Sequence, residues 1–312
     1  MPVEFGVLIP TREAIMSGRP ETGPLLAMAE RAEAAGFDSV WIGDSITAKP
    51  RHEPLTLMAA IAARTRRVRI GTGVLLPALR RPVVLAHLIA TVDRLAEGRV
   101  ILGVGIVGDN PASRKEFGHL GVEWERRVGR FLETIEICQA LWQRDNVSYS
   151  GKHFTIDGAT VEPKPHRPGG PPIWIGGNGP TALREAARFD AWFPTGPGVE
   201  FFAEKFPGVQ AAARAAGRDP AAITAAMYVT LTIDDDPTRA DATMNDYLER
   251  YYRMPAAETR NRERCFAGTE AGAAAWIKSY ADAGASHIML RFAGDIERQL
   301  DIAARIKRAL GW

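Results

Sequence analysis

The chain has 312 residues, 46% of them hydrophobic, and its 39 basic against 37 acidic side chains leave a net charge of +2. That is enough apolar material for a large core, with no charge excess to recruit nucleic acid or an anionic membrane. Two cysteines, Cys138 and Cys265, are too few for a disulfide scaffold or a cysteine-rich metal site, and no apolar run reaches the roughly 18–20 residues that a membrane span needs.

Short apolar runs alternate with longer amphipathic ones from end to end, the pattern of βαβ units around a parallel sheet. Strand one is expected at 3–9. No basic region with a cleavage site precedes it, so a cytoplasmic protein is expected. Helix one follows at 24–35, ended by Gly36 as a cap. Strand two is read at 39–42, helix two at 54–64, strand three at 68–75, and helix three at 82–96, opening on Pro82. Strand four is 100–104. Helix four runs from 126 to 142, with Val128, Phe131, Leu132, Ile135, Cys138, Leu141 and Trp142 along one stripe. A small hairpin is expected from 147–149 and 153–156, turning at Ser150-Gly151. Strand five is 172–175, helix five 180–188, strand six 191–194, and helix six ends near 213. Strand seven is 223–233, helix seven 269–283 and strand eight 287–291, with helix eight closing the chain. Eight strand–helix pairs predict one (β/α)8 TIM-barrel domain over 1–312, with insertions after strands four and seven and the hairpin before strand five. The segment after 108 reads as a polar loop, and 234–264 as a helix near 239–252 plus a charged loop.

In such a barrel, chemistry sits where strands end and helices begin. Ile173-Trp-Ile-Gly176-Gly177-Asn178-Gly179-Pro180 runs from a strand through three glycines to a helix start. Glycines let a ligand approach the backbone, and a fresh helix end offers N–H groups to a phosphate. The bland alternative is a tight turn. Gly103-Val-Gly105-Ile106-Val-Gly108 fits a dinucleotide fingerprint, but Asp109-Asn110-Pro follows and no acidic-ended strand comes some 20 positions later. Its glycines suit the approach of a flat ring better. Asp44 falls just past strand two, where it is either a cofactor or substrate contact or, more blandly, a helix cap or a loop ion pair. Ile70-Gly-Thr72-Gly73-Val74 places two glycines inside a strand, where close passage of a ring or a bulge would explain them. Ile9, Trp192, Phe193 and Phe292 are read as lining an apolar substrate pocket, and Arg291 as pairing an acidic substituent or a carboxylate of helix eight. No histidine pair has metal-ligand spacing, so no metal is expected.

Together these stretches resemble the bacterial luciferase-like monooxygenase family of flavin- and F420-dependent enzymes. The resemblance is carried by Asp38–Asp44, Ile70-Gly-Thr-Gly-Val-Leu, Arg81-Pro-Val-Val-Leu-Ala, Ala90-Thr-Val-Asp-Arg-Leu-Ala-Glu-Gly-Arg-Val-Ile-Leu-Gly-Val-Gly105, Arg130-Phe-Leu-Glu-Thr-Ile-Glu, Glu162-Pro-Lys-Pro, Pro171-Pro-Ile-Trp-Ile-Gly-Gly177 and Tyr280-Ala-Asp-Ala-Gly-Ala-Ser-His-Ile. It implies a barrel that binds FMN or coenzyme F420 across the strand ends, a cis peptide at Gly73-Val74 behind the ring, and a cofactor phosphate near Gly177-Asn178-Gly179. Asp44 is then expected within reach of the cofactor, with Arg51, Arg80 and Arg81 along its anionic tail. Deazaflavin members commonly carry Asp-His after strand two, and this chain has Asp44-Ser45. A hydroxyl is a poor general base near neutral pH; His52, seven residues later in the same loop, is either a substitute for that histidine or a solvent-exposed loop residue. The favoured reading is an F420-dependent oxidoreductase moving hydride to or from a small organic substrate, working as a homodimer. The alternatives are an FMN-dependent monooxygenase served by a separate flavin reductase, and a flavin-binding protein with little catalysis.

Overall fold

The computed structural model describes residues 3–196 and 198–312. In chain order its elements are β1 (Glu4–Leu8), α1 (Thr11–Met16), α2 (Gly23–Ala34), β2 (Ser39–Ile42), α3 (Pro54–Arg64), β3 (Arg69–Thr72), α4 (Pro82–Leu95), β4 (Val100–Val104), α5 (Pro111–His119) and α6 (Arg127–Gln143). They continue with β5 (Val147–Ser150), β6 (Thr155–Ala159), β7 (Ile173–Gly176), α7 (Pro180–Ala186), β8 (Ala191–Phe193), α8 (Val199–Ala215), β9 (Thr224–Ile233), α9 (Pro237–Tyr252), α10 (Ala256–Arg262), β10 (Cys265–Gly268), α11 (Glu270–Asp282), β11 (His287–Phe292) and α12 (Ile296–Ala309). The main sheet has the order β10-β9-β11-β1-β2-β3-β4-β7-β8, and β8 also pairs with β9. That last pairing closes eight parallel strands into the expected (β/α)8 barrel. The antiparallel β5–β6 pair is the small hairpin before the fifth barrel strand. Among the described residues no helix is long and apolar enough to cross a membrane.

The strands read as unbroken apolar runs because a parallel sheet is covered on both faces. β2 and β4 are buried at every position, and β9 at all but its first. Proline opens α3, α4, α5, α7 and α9, where its missing N–H costs no hydrogen bond. Four segments differ from the sequence expectation. The short helix α1 forms where the sequence predicts no element. The polar stretch after 108 folds into α5, whose Ser113, Glu116 and Phe117 form a buried stripe under an Asn110 cap. The charged loop after α9 contains α10 and a ninth strand, β10. Strand three is regular only to Thr72, because Gly73-Val74 is cis, as the resemblance implies; the chain rejoins β4 through a single bridge between Leu75 and Val104.

The chain forms two compact units. One comprises the residues up to Ile9, Ala27–Trp41 and Trp174–Trp312; the other comprises Pro10–Leu26 and Ile42–Ile173. In the first, His287, Trp41, Trp174 and Phe193 pack ring against ring at 5.0–5.6 Å. A hydrogen-bond chain runs through them: Trp41 Nε1–H donates to Ser39 Oγ (2.7 Å), Ser39 pairs with His287 Nε2 (2.8 Å), and His287 Nδ1 meets Glu4 Oε2 (2.9 Å). The carboxylate can only accept, so Nδ1 carries the proton and the Ser39 hydroxyl donates to Nε2. Glu4 and His287 begin their strands. This network is therefore at the end of the barrel that confers stability rather than chemistry.

β9 changes partner along its length. Thr224 and Ala225 pair with β8, whereas Thr230–Ile233 pair with β10. The handover is at Gly196, whose N–H donates to the Tyr228 carbonyl (2.8 Å) while its own carbonyl accepts from Arg264 N–H (2.8 Å). Gly196 has φ +54°, and a Cβ there would lie 3.0 Å from Glu263 Cα, so only glycine fits this junction.

Candidate functional site

At the C-terminal ends of β2 and β3, Asp44 and Ser45 are both buried. Asp44 accepts from Leu76 N–H (2.9 Å) and from both terminal nitrogens of Arg80. Arg80 also donates to Glu53. Burial opposes the charge of Arg80, but the carboxylates of Asp44 and Glu53 outweigh it and raise its pKa. Asp44 thus ties two strand ends together, and Arg80 is occupied by it rather than reserved for a cofactor tail. Arg51 donates through Nε to the Lys49 carbonyl, and Arg81 remains exposed. The Ser45 hydroxyl donates to Glu116 Oε1 (2.9 Å) and accepts from Lys49 N–H (2.8 Å). Its hydrogen is therefore committed, and Ser45 is not a proton acceptor in this arrangement.

His52 differs from both. Nε2 lies 2.7 Å from the Pro20 carbonyl, which can only accept, so Nε2 carries a proton. Nδ1 is buried and has no hydrogen-bond partner. Beside this loop, Thr72 Oγ1 donates to the Gly103 carbonyl (2.7 Å), and Gly105 N–H donates to the Leu75 carbonyl (3.1 Å). Gly73, Val74 and Ile106 remain partly accessible. Asp109 and Asn110 have structural partners. Asp109 makes an exposed pair with Arg114 (2.6 Å), and Asn110 Oδ1 caps α5 through Ser113 N–H (3.0 Å).

In the other unit, the ends of β7 and β8 and the end of α10 with the turn into β10 border an open cavity of about 310 Å³. Its lining includes Asn178, Gly196, Gly198, Asn261, Arg262 and Arg264. Two arginines and two amides make a lining suited to an anion. Asn178 belongs to the glycine motif that the sequence singles out. Arg262 and Arg264 were missed, because the sequence shows only a charged loop and the sheet pairing of β10 is what brings them here.

Gly177, with φ +118°, is the constrained glycine of the motif: a Cβ would meet that of Ala182 at 3.2 Å. Gly179 has φ −80° and open space around it. Gly177 is therefore the glycine of the motif that the backbone itself requires. Gly177→Ala will lose about 1–3 kcal/mol of unfolding free energy, while Gly179→Ala stays within about 0.5 kcal/mol, as read by urea denaturation.

The expected substrate residues do not gather into an apolar pocket. Trp192 stacks on Phe202 and Phe206 of α8 at 5.3 and 6.4 Å, and its Nε1–H donates to the Gly177 carbonyl (2.9 Å). Phe193, its neighbour in the strand, points the opposite way into the ring cluster of Trp41 and Trp174. Ile9 and Phe292 are buried in the core. Arg291 is 3% exposed, with its guanidinium 4.8–5.7 Å from the rings of Tyr228, Tyr247, Tyr251 and Tyr252. It donates to Thr230 Oγ1 (2.9 Å), the Tyr252 hydroxyl (2.9 Å) and Glu263 Oε2 (2.6 Å). Burial works against its charge, but the tyrosines and Glu263 hold it well above the ordinary arginine pKa. The carboxylate on Arg291 comes from Glu263, between α10 and β10, and not from the helix after β11 as the sequence suggests.

The family model for luciferase-like monooxygenases matches residues 3–310. An F420-dependent glucose-6-phosphate dehydrogenase of Amycolatopsis mediterranei is 33% identical, over 92% of this chain and 95% of its own. Among solved structures, an F420-dependent secondary alcohol dehydrogenase holding an F420–acetone adduct superposes with TM-score 0.83 at 24% identity, covering 98% of both chains. A monooxygenase from Streptomyces bottropensis gives TM-score 0.80 at 24% identity, covering 98% of this chain and 96% of its own. With the barrel and the cis Gly73-Val74 bond already in place, the match over nearly the whole length makes the chain a member of the luciferase-like monooxygenase family of oxidoreductases.

Proposed function

We propose that this protein is a coenzyme F420-dependent oxidoreductase passing hydride between the deazaflavin and a small organic substrate. Its kinship with F420-dependent dehydrogenases at 29–34% identity supports the choice of F420 over FMN. The observation that carries it is the arginine- and amide-lined cavity at Asn178, which suits the phosphate of such a cofactor. When bound, the deazaflavin supplies a two-electron hydride carrier.

The remaining chemistry falls to the protein. An alcohol that loses hydride from carbon must also lose its hydroxyl proton, and becomes a carbonyl. Of the polar groups after β2, Asp44 and Ser45 are engaged, so we assign the proton to His52 Nδ1, a shielded nitrogen that substrate entry must uncover. The Pro20 carbonyl fixes the opposite nitrogen as the N–H form, which leaves Nδ1 its lone pair. Asp44 and Arg80 keep the strand ends in place and do not exchange protons.

Fluorescence titration of the apoprotein tests the cofactor. F420 is expected to bind at least tenfold more tightly than FMN. Arg262→Ala with Arg264→Ala will weaken F420 binding and reduce its salt dependence. Each exposed arginine contributes only about 0–1 kcal/mol, so the salt slope is the sharper readout. FMN binding equal to or tighter than F420 overturns the assignment in favour of an oxygenase fed by a flavin reductase.

A further inference from the structure

Glu116 lies on α5 and is fully buried. One of its oxygens, Oε1, accepts four hydrogen bonds from a single loop. The donors are the Ser45 hydroxyl (2.9 Å) and the consecutive amides of Ile46 (2.6 Å), Thr47 (2.8 Å) and Ala48 (3.2 Å). Ser45 extends the arrangement by accepting from Lys49 N–H, and the Thr47 hydroxyl lies 3.2 Å from His119 Nδ1 at the end of the same helix. Three successive N–H groups converging on one point form a backbone nest for an anion, and here the anion is a side chain some 70 residues away in sequence. Glu116 Oε2 is also buried, yet has no partner. A buried carboxylate oxygen without a donor is costly, and the four hydrogen bonds to Oε1 offset that cost.

The loop that Glu116 holds begins at Ser45, directly after Asp44, and leads to His52. Its far end is fixed by the Pro20 carbonyl and its near end by Asp44, Arg80 and Leu76. Between these anchors the backbone from 46 to 48 has no side chain but Glu116 to order it in the hydrogen bonds described. We propose that Glu116 is the positioning residue of the reaction: its carboxylate latches the 45–49 loop and so sets the orientation of His52. This rests on the F420 reading above for its kinetic consequence, but not for its structural one.

Glu116→Gln separates the two. The amide keeps one acceptor oxygen and the volume, but loses the charge that four donors share. Amide hydrogen exchange at 46–48 in the apoprotein is expected to accelerate at least tenfold. Under the F420 reading, kcat falls about tenfold, while substrate KM and the F420 dissociation constant stay within twofold. Glu116→Ala should exaggerate both effects, and Ser45→Ala, which leaves three amides on the carboxylate, should show much weaker ones. Unchanged exchange at 46–48 in Glu116→Gln overturns the latch. Faster exchange with wild-type kcat overturns the positioning role. A parallel fall of kcat and of the thermal midpoint, in place of a selective loss of kcat, would reduce Glu116 to a stability residue and likewise overturn it. Failure of the unmutated protein to bind F420 would defeat the functional reading instead, and the exchange measurement would then decide the latch alone.

Discussion

Glu263→Ala will cost about 3–5 kcal/mol of unfolding free energy, measured by urea denaturation with an unchanged m-value. The substitution leaves Arg291 charged and buried, with only Thr230, the Tyr252 hydroxyl and four aromatic faces around it. Removing one partner of a buried ion pair costs about that much, because the survivor keeps its desolvation penalty and loses its compensation. The loss belongs to the orphaned arginine rather than to the pair. Glu263→Leu combined with Arg291→Met should therefore recover most of it. Arg291→Lys will not substitute, since one ammonium cannot reproduce a planar fork reaching three acceptors while stacked among tyrosines. A cost below about 1 kcal/mol for Glu263→Ala would mean that the tyrosines alone satisfy the guanidinium.

The second large effect is catalytic. His52→Gln will lower kcat about a hundredfold, the lower range for loss of a general base, while F420 affinity stays within threefold. Glutamine can still donate to the Pro20 carbonyl, so the loop end keeps its anchor, but it offers no basic nitrogen. An unchanged kcat in His52→Gln would place the proton acceptor elsewhere in the site.

The barrel was legible in the sequence because its signals are local. Proline at helix starts, glycine at caps and apolar runs of strand length each act within a few residues, and β2, α3 and β4 fall where those signals put them. The site was legible as a set of positions and much less as a set of partners. Asp44 finds Arg80 36 positions away, Ser45 finds Glu116 71 away and Arg291 finds Glu263 28 away. No spacing rule reaches across such intervals, so groups that look free in the sequence are spoken for in the fold. Trp192 and Phe193 show a different limit. Both were read as pocket-lining, although consecutive residues of a strand face opposite ways, and alternation alone would have removed one of them. Glu116 did leave a trace, as the polar member of a stripe with Ser113 and Phe117 at helical spacing.

The shared strand β9 has a consequence for how this molecule can diverge. Its first residues, Thr224 and Ala225, close the barrel against β8; its last four are given to β10. Beyond Gly196 the barrel wall no longer depends on β8–β9 pairing, and the chain from α10 to β10 supplies the arginines of the cavity. Under the proposed function, closure and recognition are thereby inherited on different stretches of one strand. Exchanges of charge at Arg262 and Arg264 change what the cavity prefers without touching the Ala191–Thr224 seam that keeps the barrel shut. Selection can retune the ligand in small steps, each nearly neutral for folding, while Gly196 remains the one position both halves require.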